Sequence, residues 1–95
     1  MARFVHGDFE WDSEKAETNQ RKHGVAFEEA ATVFRDPFAV DAPDQGDPMR
    51  FILIGMSQTL RVLFVVAGES TGERIRIVSA RKANAAQRRL YEKKT

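Results

Sequence analysis

Hydrophobic and polar residues change period several times along this 95-residue chain, and each change marks a candidate element. Val5, Phe9 and Trp11 alternate with His6, Asp8 and Glu10, which predicts a short strand with one apolar face. Asp12 or Ser13 then offers an N-cap and Glu14 a first-turn carboxylate. The helix predicted from there runs to about His23 and is stopped by Gly24. Apart from Ala16 it carries almost no apolar side chains, so its packing must come from Trp11 before it and Val25 and Phe27 after it. Its basic residues, Lys15, Arg21, Lys22 and His23, are then candidates for its purpose. Phe27, Ala30, Ala31 and Phe34 fall at i, i+3, i+4 and i+7, a second and amphipathic helix ended by Asp36-Pro37.

The remaining chain reads mostly as strands. Residues 38–41 suit an edge strand, and residues 42–48 form a loop rich in turn formers. Residues 50–56 and 60–67 are apolar on both faces, as central strands are, and Ser57-Gln58-Thr59 suits a hairpin between them. Glu69-Ser70-Thr71-Gly72 makes the next turn. Residues 74–80 alternate, with Ile75, Ile77 and Ser79 on one face and Arg74, Arg76 and Val78 on the other. A last helix over about residues 82–93 buries Ala83, Ala86 and Leu90. The length suits one domain. This order predicts an α+β fold: two N-terminal helices and one C-terminal helix packed on a three- to four-stranded antiparallel sheet.

Composition narrows the class. Hydrophobic residues make up 42% and charged ones 31%, an ordinary soluble balance. The apolar stretch over residues 63–67 is far too short for a membrane span, and Met1 to His6 lacks the apolar core of a secretion signal. No cysteine is present, which removes disulfides, thiolate catalysis and thiolate metal sites. The cytoplasm is the expected compartment. The net charge of +1 hides an asymmetry: from Arg74 onward eight Lys/Arg face Glu92 alone, a balance of +7, whereas seven basic and thirteen acidic groups precede them, a balance of −6. This predicts a basic face for a polyanion, the alternative being a solvated helix end rich in Lys and Arg.

Phe9-Glu10-Trp11-Asp12, then Lys15 and Asn19, then Arg21-Lys22-His23-Gly24-Val25 and Phe27-Glu28-Glu29-Ala30 resemble the opening of the BrnT toxins. The resemblance resumes with Phe34-Arg35-Asp36-Pro37, Ile54-Gly55, the strand over residues 61–66 and Ile75-Arg76-Ile77-Val78-Ser79-Ala80-Arg81, and Tyr91 closes it. The chain departs from the pattern in its first few residues, in the length of the 42–48 loop, and at Gln87, where acidic character is expected and local capping is affected. The resemblance implies a RelE-like fold and the toxin of a type II toxin–antitoxin system, an endoribonuclease that cleaves RNA without a metal or cofactor and inhibits translation. It also implies a BrnA-like ribbon-helix-helix antitoxin as partner in a hetero-oligomer, with DNA contacted only through that antitoxin and no membrane involved.

Metal-free RNA cleavage uses the ribose 2′-hydroxyl as nucleophile and needs a base, an acid and fixed cations around the phosphate. Arginine suits the last task, because its planar fork matches phosphate oxygens. Arg61, Arg76 and Arg81 are the cationic candidates, against a plain solubility role for each. Lys22 and His23 are the proton-transfer candidates. A helix C-terminus favours imidazolium, which suits His23 as an acid, unless it merely caps the helix. Glu28, Tyr91 and Trp11 are secondary, Trp11 reading first as core. Together these predict that Lys22, Arg61 and Arg81 converge on one groove beside the sheet, with His23 and Arg76 at its edge. His6, Asp8 and Glu10 point three potential ligands to one strand face, but the set is incomplete and reads as a solvated face, so no metal site is expected. The glycines follow no phosphate-loop pattern, and no Ser/His/Asp signature occurs. A non-catalytic RNA-binding module or a protein-interaction domain is the competing reading. The edge strand at 38–41 could accept a partner strand.

Overall fold

The computed structural model describes residues 3–70 and 72–93; Thr71 of the expected turn and Lys94 of the basic tail lie outside the described residues. In chain order it contains β1 (Arg3–His6), β2 (Phe9–Asp12), α1 (Ser13–His23), α2 (Phe27–Thr32) running into a 3-10 turn (Val33–Arg35), β3 (Val40–Pro43), β4 (Arg50–Met56), β5 (Val62–Glu69), β6 (Ile75–Lys82) and α3 (Ala85–Glu92). The fold is α+β, as expected. The sheet is larger than expected: six strands in the order β1-β2-β6-β5-β4-β3, antiparallel except for the parallel β2–β6 pair, rather than three or four antiparallel strands.

Two of the six strands, β1 and β2, come from the first alternation. Gly7 adopts φ +60° and turns the chain with Asp8, so that His6 pairs with Phe9 in a hairpin. The two N-terminal helices therefore follow a hairpin, and the second is six residues long before it tightens. The turn also resets the faces. Phe4 stacks on Trp11 and His6 lies tilted against it, at 5.2 and 5.7 Å between ring centroids, on the helix-covered side. Glu10 takes the opposite side, beside Arg3. His6 and Glu10 thus never share a face, and Glu10 is 3% exposed rather than solvated.

Two further differences have local causes. β3 starts at Val40 because Asp36 first folds the chain back, accepting the Phe38 N–H on its side chain and the Ala39 N–H on its carbonyl. In β6 the register slips: Ala67 pairs with Ile77 and Val66 with Ser79, leaving Val78 extra in a bulge. Ser79 consequently joins Arg81 on one face, while Ala80 follows Ile77 into the core.

Between the helices and the sheet lie Trp11, Val25, Phe27, Ala30, Ala31, Val33, Leu63, Val65, Ile77 and Ala80, all buried. α1 lacks apolar residues, as its sequence indicated, and is attached in another way. Asp12 caps it by accepting from the Glu14 and Lys15 N–H groups, and Gly24 ends it at φ +70°. In the middle, the buried Asn19 amide donates to the carbonyls of Ala80 (2.8 Å) and Val25 (3.1 Å) and accepts from the Ala80 N–H (3.2 Å).

On the other face, α3 covers only part of the sheet, through Ala83 and Tyr91 against Ile52, Ile54, Met56, Val62 and Phe64. Ala86 and Leu90, expected inside, are exposed; Tyr91 is buried instead and donates to Asp36 (2.7 Å). Burial, and then Asp36, raises the Tyr91 hydroxyl to about 12. Gln87 strengthens capping rather than weakening it, since it completes a reciprocal capping box with Asn84.

Arg61 ties three elements together. Its guanidinium grips both carboxylate oxygens of Glu29 on α2 and donates to the Gly24 carbonyl (3.1 Å) at the end of α1, while Ser57 and Thr59 of the β4–β5 turn also donate to Glu29. These bonds, Arg61 first, outweigh the opposing effect of burial and lower the Glu29 carboxyl from 4.5 to about 2.

Two predictions follow from these contacts. Asn19→Ala strands three backbone groups and should cost about 3 kcal/mol, read as a lower urea midpoint. Glu29 stays ionised in the folded chain where the unfolded chain takes up a proton. Its stabilisation is therefore full above pH 4.5 and lost as pH falls towards 2. Urea titrations across that window should show Glu29→Gln less stable than the parent at pH 7 but less sensitive to acid.

Candidate nucleic-acid interface

The face of the sheet that α1 and α2 leave uncovered carries Glu10 on β2, Phe64 and Val66 on β5, and Arg76, Ser79 and Arg81 on β6. The β6 bulge is responsible for the last two. Without it the alternation from Arg76 would send Arg81 into the core and Lys82 to this face.

Each arginine here is held by a different device. Arg81 lies over the Phe64 ring, 4.2 Å from its centroid, and donates to Gln87 Oε1 (3.1 Å) and the Lys82 carbonyl (3.3 Å). Arg76 donates to one oxygen of Glu10 (3.3 Å), and Arg3 pairs with the other (2.9 Å). The Ser70 hydroxyl bond, against burial and with help from Arg3 and Arg76, keeps the Glu10 carboxyl below its ordinary range. Glu10 is therefore an anion that orients two guanidiniums, and its burial keeps it away from a ligand.

α1 forms the wall beside this face. Glu14, Lys15, Thr18, Asn19, Lys22 and His23 line a cleft of about 420 Å³ with Val78 and Ser79 of β6. Lys15 also lines the adjoining cleft, which reaches Arg76, Gly68 and Arg50. The helix end is satisfied by the Gly24 N–H on the Gln20 carbonyl (2.8 Å), so the exposed His23 ring is not needed as a cap.

The structure thus brings Lys22 and His23 into one cleft with Ser79, connects that cleft through Lys15 to Arg76, and places Arg81 two residues beyond Ser79 on the same face. It does not bring Arg61 there. The expected convergence of Lys22, Arg61 and Arg81 is corrected at that residue, because its guanidinium is bound to Glu29 and Gly24 on the helix-covered side. Trp11 is core, edge-on to Phe27, and Tyr91 is buried on Asp36, so neither presents a ring to a base. Glu28 sits exposed on α2.

Glu10, Phe64, Ser79 and Gln87 were not among the sequence candidates for RNA chemistry, and Lys15 was singled out only as one of the basic residues of α1. Glu10 and Lys15 stand within the motif that opens the resemblance, which was the available signal; nothing in the sequence marks the bulge that exposes Ser79. The face offers two oriented cationic forks for phosphate oxygens and a Lys/His pair beside them. Among the described residues no three His, Cys, Asp or Glu side chains group to hold a metal, and no helix is long and apolar enough to cross a membrane.

Comparison with known proteins gives a family match over residues 11–87, to the ribonuclease toxin BrnT of type II toxin–antitoxin systems. The fold is similar to the crystal structure of the Brucella abortus ribonuclease toxin BrnT, at 26% identity and a TM-score of 0.64, covering 78% of this chain and 92% of that one. No curated protein matches the chain.

If Glu10 orients Arg76, Glu10→Gln should keep the circular dichroism of the parent while weakening affinity for a labelled oligoribonucleotide, roughly 3- to 10-fold by fluorescence anisotropy. Unchanged affinity would detach Arg76 from the interface.

Proposed function

The chain belongs to the BrnT family of ribonuclease toxins of type II toxin–antitoxin systems, and from that membership we propose that it is a metal-independent endoribonuclease working on the open sheet face. The observation that carries this reading is the pair of anchored guanidiniums, Arg76 on Glu10 and Arg81 on Phe64 and Gln87, beside the cleft that holds Lys22 and His23.

In this reading the ribose 2′-oxygen attacks the adjacent phosphorus as its proton is removed. The bond to the 5′-oxygen then breaks, leaving a 2′,3′-cyclic phosphate and a 5′-hydroxyl. Arg76 and Arg81 stabilise the charge that builds on the non-bridging oxygens. His23, the last residue of α1, lines the cleft beside Ser79 and supplies the proton to the leaving oxygen. Lys22 contacts the phosphate or takes the 2′ proton. Arg61 acts from behind the site, fixing the end of α1 through the Gly24 carbonyl.

The same face explains the partner. A BrnA-like ribbon-helix-helix antitoxin silences the toxin by covering these cations with acidic or hydrogen-bonding groups, and any DNA contact comes through that antitoxin. Free toxin cuts RNA in the cytoplasm and so inhibits translation.

End-labelled RNA incubated in EDTA with the parent, Arg81→Ala and Arg76→Ala tests the reading. Cleavage by the parent and a loss of ~100-fold or more in either variant is the expected outcome. RNA that is bound but never cut by folded parent would make the chain a non-catalytic RNA-binding module. Failure of the protein encoded by the adjacent gene to bind at micromolar concentration would remove the antitoxin from the proposal.

A further inference from the structure

The β4–β5 turn contains an oddity that the proposed reaction does not use. Leu60 has φ +65°, the only positive φ among described non-glycine residues, and its side chain is 78% exposed. The turn imposes this conformation: Leu60 N–H donates to the Ser57 carbonyl (3.0 Å) and Ser57 N–H to the Arg61 carbonyl (2.8 Å). Glycine or asparagine is the ordinary occupant of such a position. Leucine is disfavoured there by its backbone and again by the apolar surface it leaves in water, the kind of local cost that points to a use elsewhere.

Its surroundings suggest the use. Leu60, Arg61, Val62, Lys82, Ala83 and Arg88 line a cleft of about 310 Å³ at the junction of β6 and α3. No carboxylate lines it. Arg61 is already neutralised by Glu29, but Lys82 and Arg88 are exposed and make no ion pair among the described residues. The cleft therefore combines two unpaired cations with one apolar projection, a match for a nucleotide, which has a phosphate and a flat apolar base. Lys82 directly follows Arg81, and the two side chains leave opposite faces of the same strand end. A strand of RNA lying on the Arg76–Arg81 face reaches this cleft by passing round the end of β6.

We propose that the Leu60–Lys82–Arg88 cleft is a second RNA-contacting site, which grips the backbone of the strand flanking the cleavage point while Leu60 packs against a base. The proposal rests on the reading of the protein as an RNA-cutting enzyme and extends it from one phosphate to several nucleotides. Its chemistry separates it from the open face, because it contributes binding and no proton transfer.

The test uses the Lys82→Ala/Arg88→Ala double variant and, separately, Leu60→Gly. The glycine suits φ +65° and so should not unfold the chain. Affinity for a single-stranded oligoribonucleotide long enough to span both sites is measured over a salt series, and cleavage of that RNA is compared with cleavage of a dinucleotide. The double variant should lose ~10-fold in affinity and raise KM ~10-fold for the long RNA, with a salt slope shallower by about 1.4. Its kcat and its dinucleotide cleavage should match the parent. Leu60→Gly should weaken long-RNA binding while keeping the salt slope. Parental affinity and slope in the double variant would overturn the proposal. Intact RNA binding with lost antitoxin binding would also overturn it, making the cleft a contact for an acidic protein segment. Parent that binds long RNA but cuts neither substrate would instead refute the reaction, and the salt series would still decide the cleft.

Discussion

β2 lies beside β6 for only two residue pairs before the chain turns into α1, so the sheet would otherwise have an open backbone along the rest of β6. Asn19 meets that backbone as a strand would, giving a donor and an acceptor to Ala80 and a second donor bond to Val25. Hydrogen-bonding capacity that is buried must be matched, and one carboxamide here matches three backbone groups. The consequence is positional as well as energetic. A helix with almost no apolar surface acquires a fixed place against β6, and that place puts Lys15, Lys22 and His23 alongside Val78 and Ser79. The proposed site is assembled by a residue whose amide is taken up wholly by backbone.

Charge is distributed in the same way. Three arginines that look equivalent along the chain differ in what holds them: Arg61 a carboxylate on the covered side, Arg76 a carboxylate buried at the margin of the open face, Arg81 an aromatic ring and an amide. A buried carboxylate is a poor means of gaining stability, since desolvation offsets much of the attraction. Glu10 makes sense as a means of aiming: it limits where Arg76 and Arg3 can point. The acidic excess of the N-terminal part is thus partly internal, and the basic excess of the C-terminal part remains available to a polyanion.

Much of this was legible in the chain. The limits of α1 followed from Asp12 and Gly24, and β4 from its apolar run, because caps and continuous burial are local signals. The candidate segments of the site were legible too, since Lys22, His23, Arg76 and Arg81 lie at element ends that the pattern exposes. What escaped depends on pairing across distance. The Gly7-Asp8 turn sat inside an alternation that continued smoothly on either side of it, so a hairpin read as one strand. In α3, Leu90 fits the helical period as well as Tyr91, and only the position of Asp36 decides which is buried. Arg61 looked like its neighbours until Glu29 was placed opposite it, 32 residues away in sequence but adjacent in space.

The extra residue at Val78 also bears on how such a chain can vary through evolution. Length changes in the 42–48 loop alter only a surface turn, because nothing downstream depends on counting those residues. Between Ile77 and Ser79 the pairing counts: loss of Val78 would straighten the strand and leave Ser79 and Arg81 facing out, whereas one more residue taken into the ladder would exchange the inward and outward members of the strand end, Ala80 and Lys82 for Ser79 and Arg81. A lineage can therefore drift freely in most of its side chains and still be silenced by the gain of a single codon here, a lesion that leaves the composition nearly intact while turning Arg81 away from Phe64.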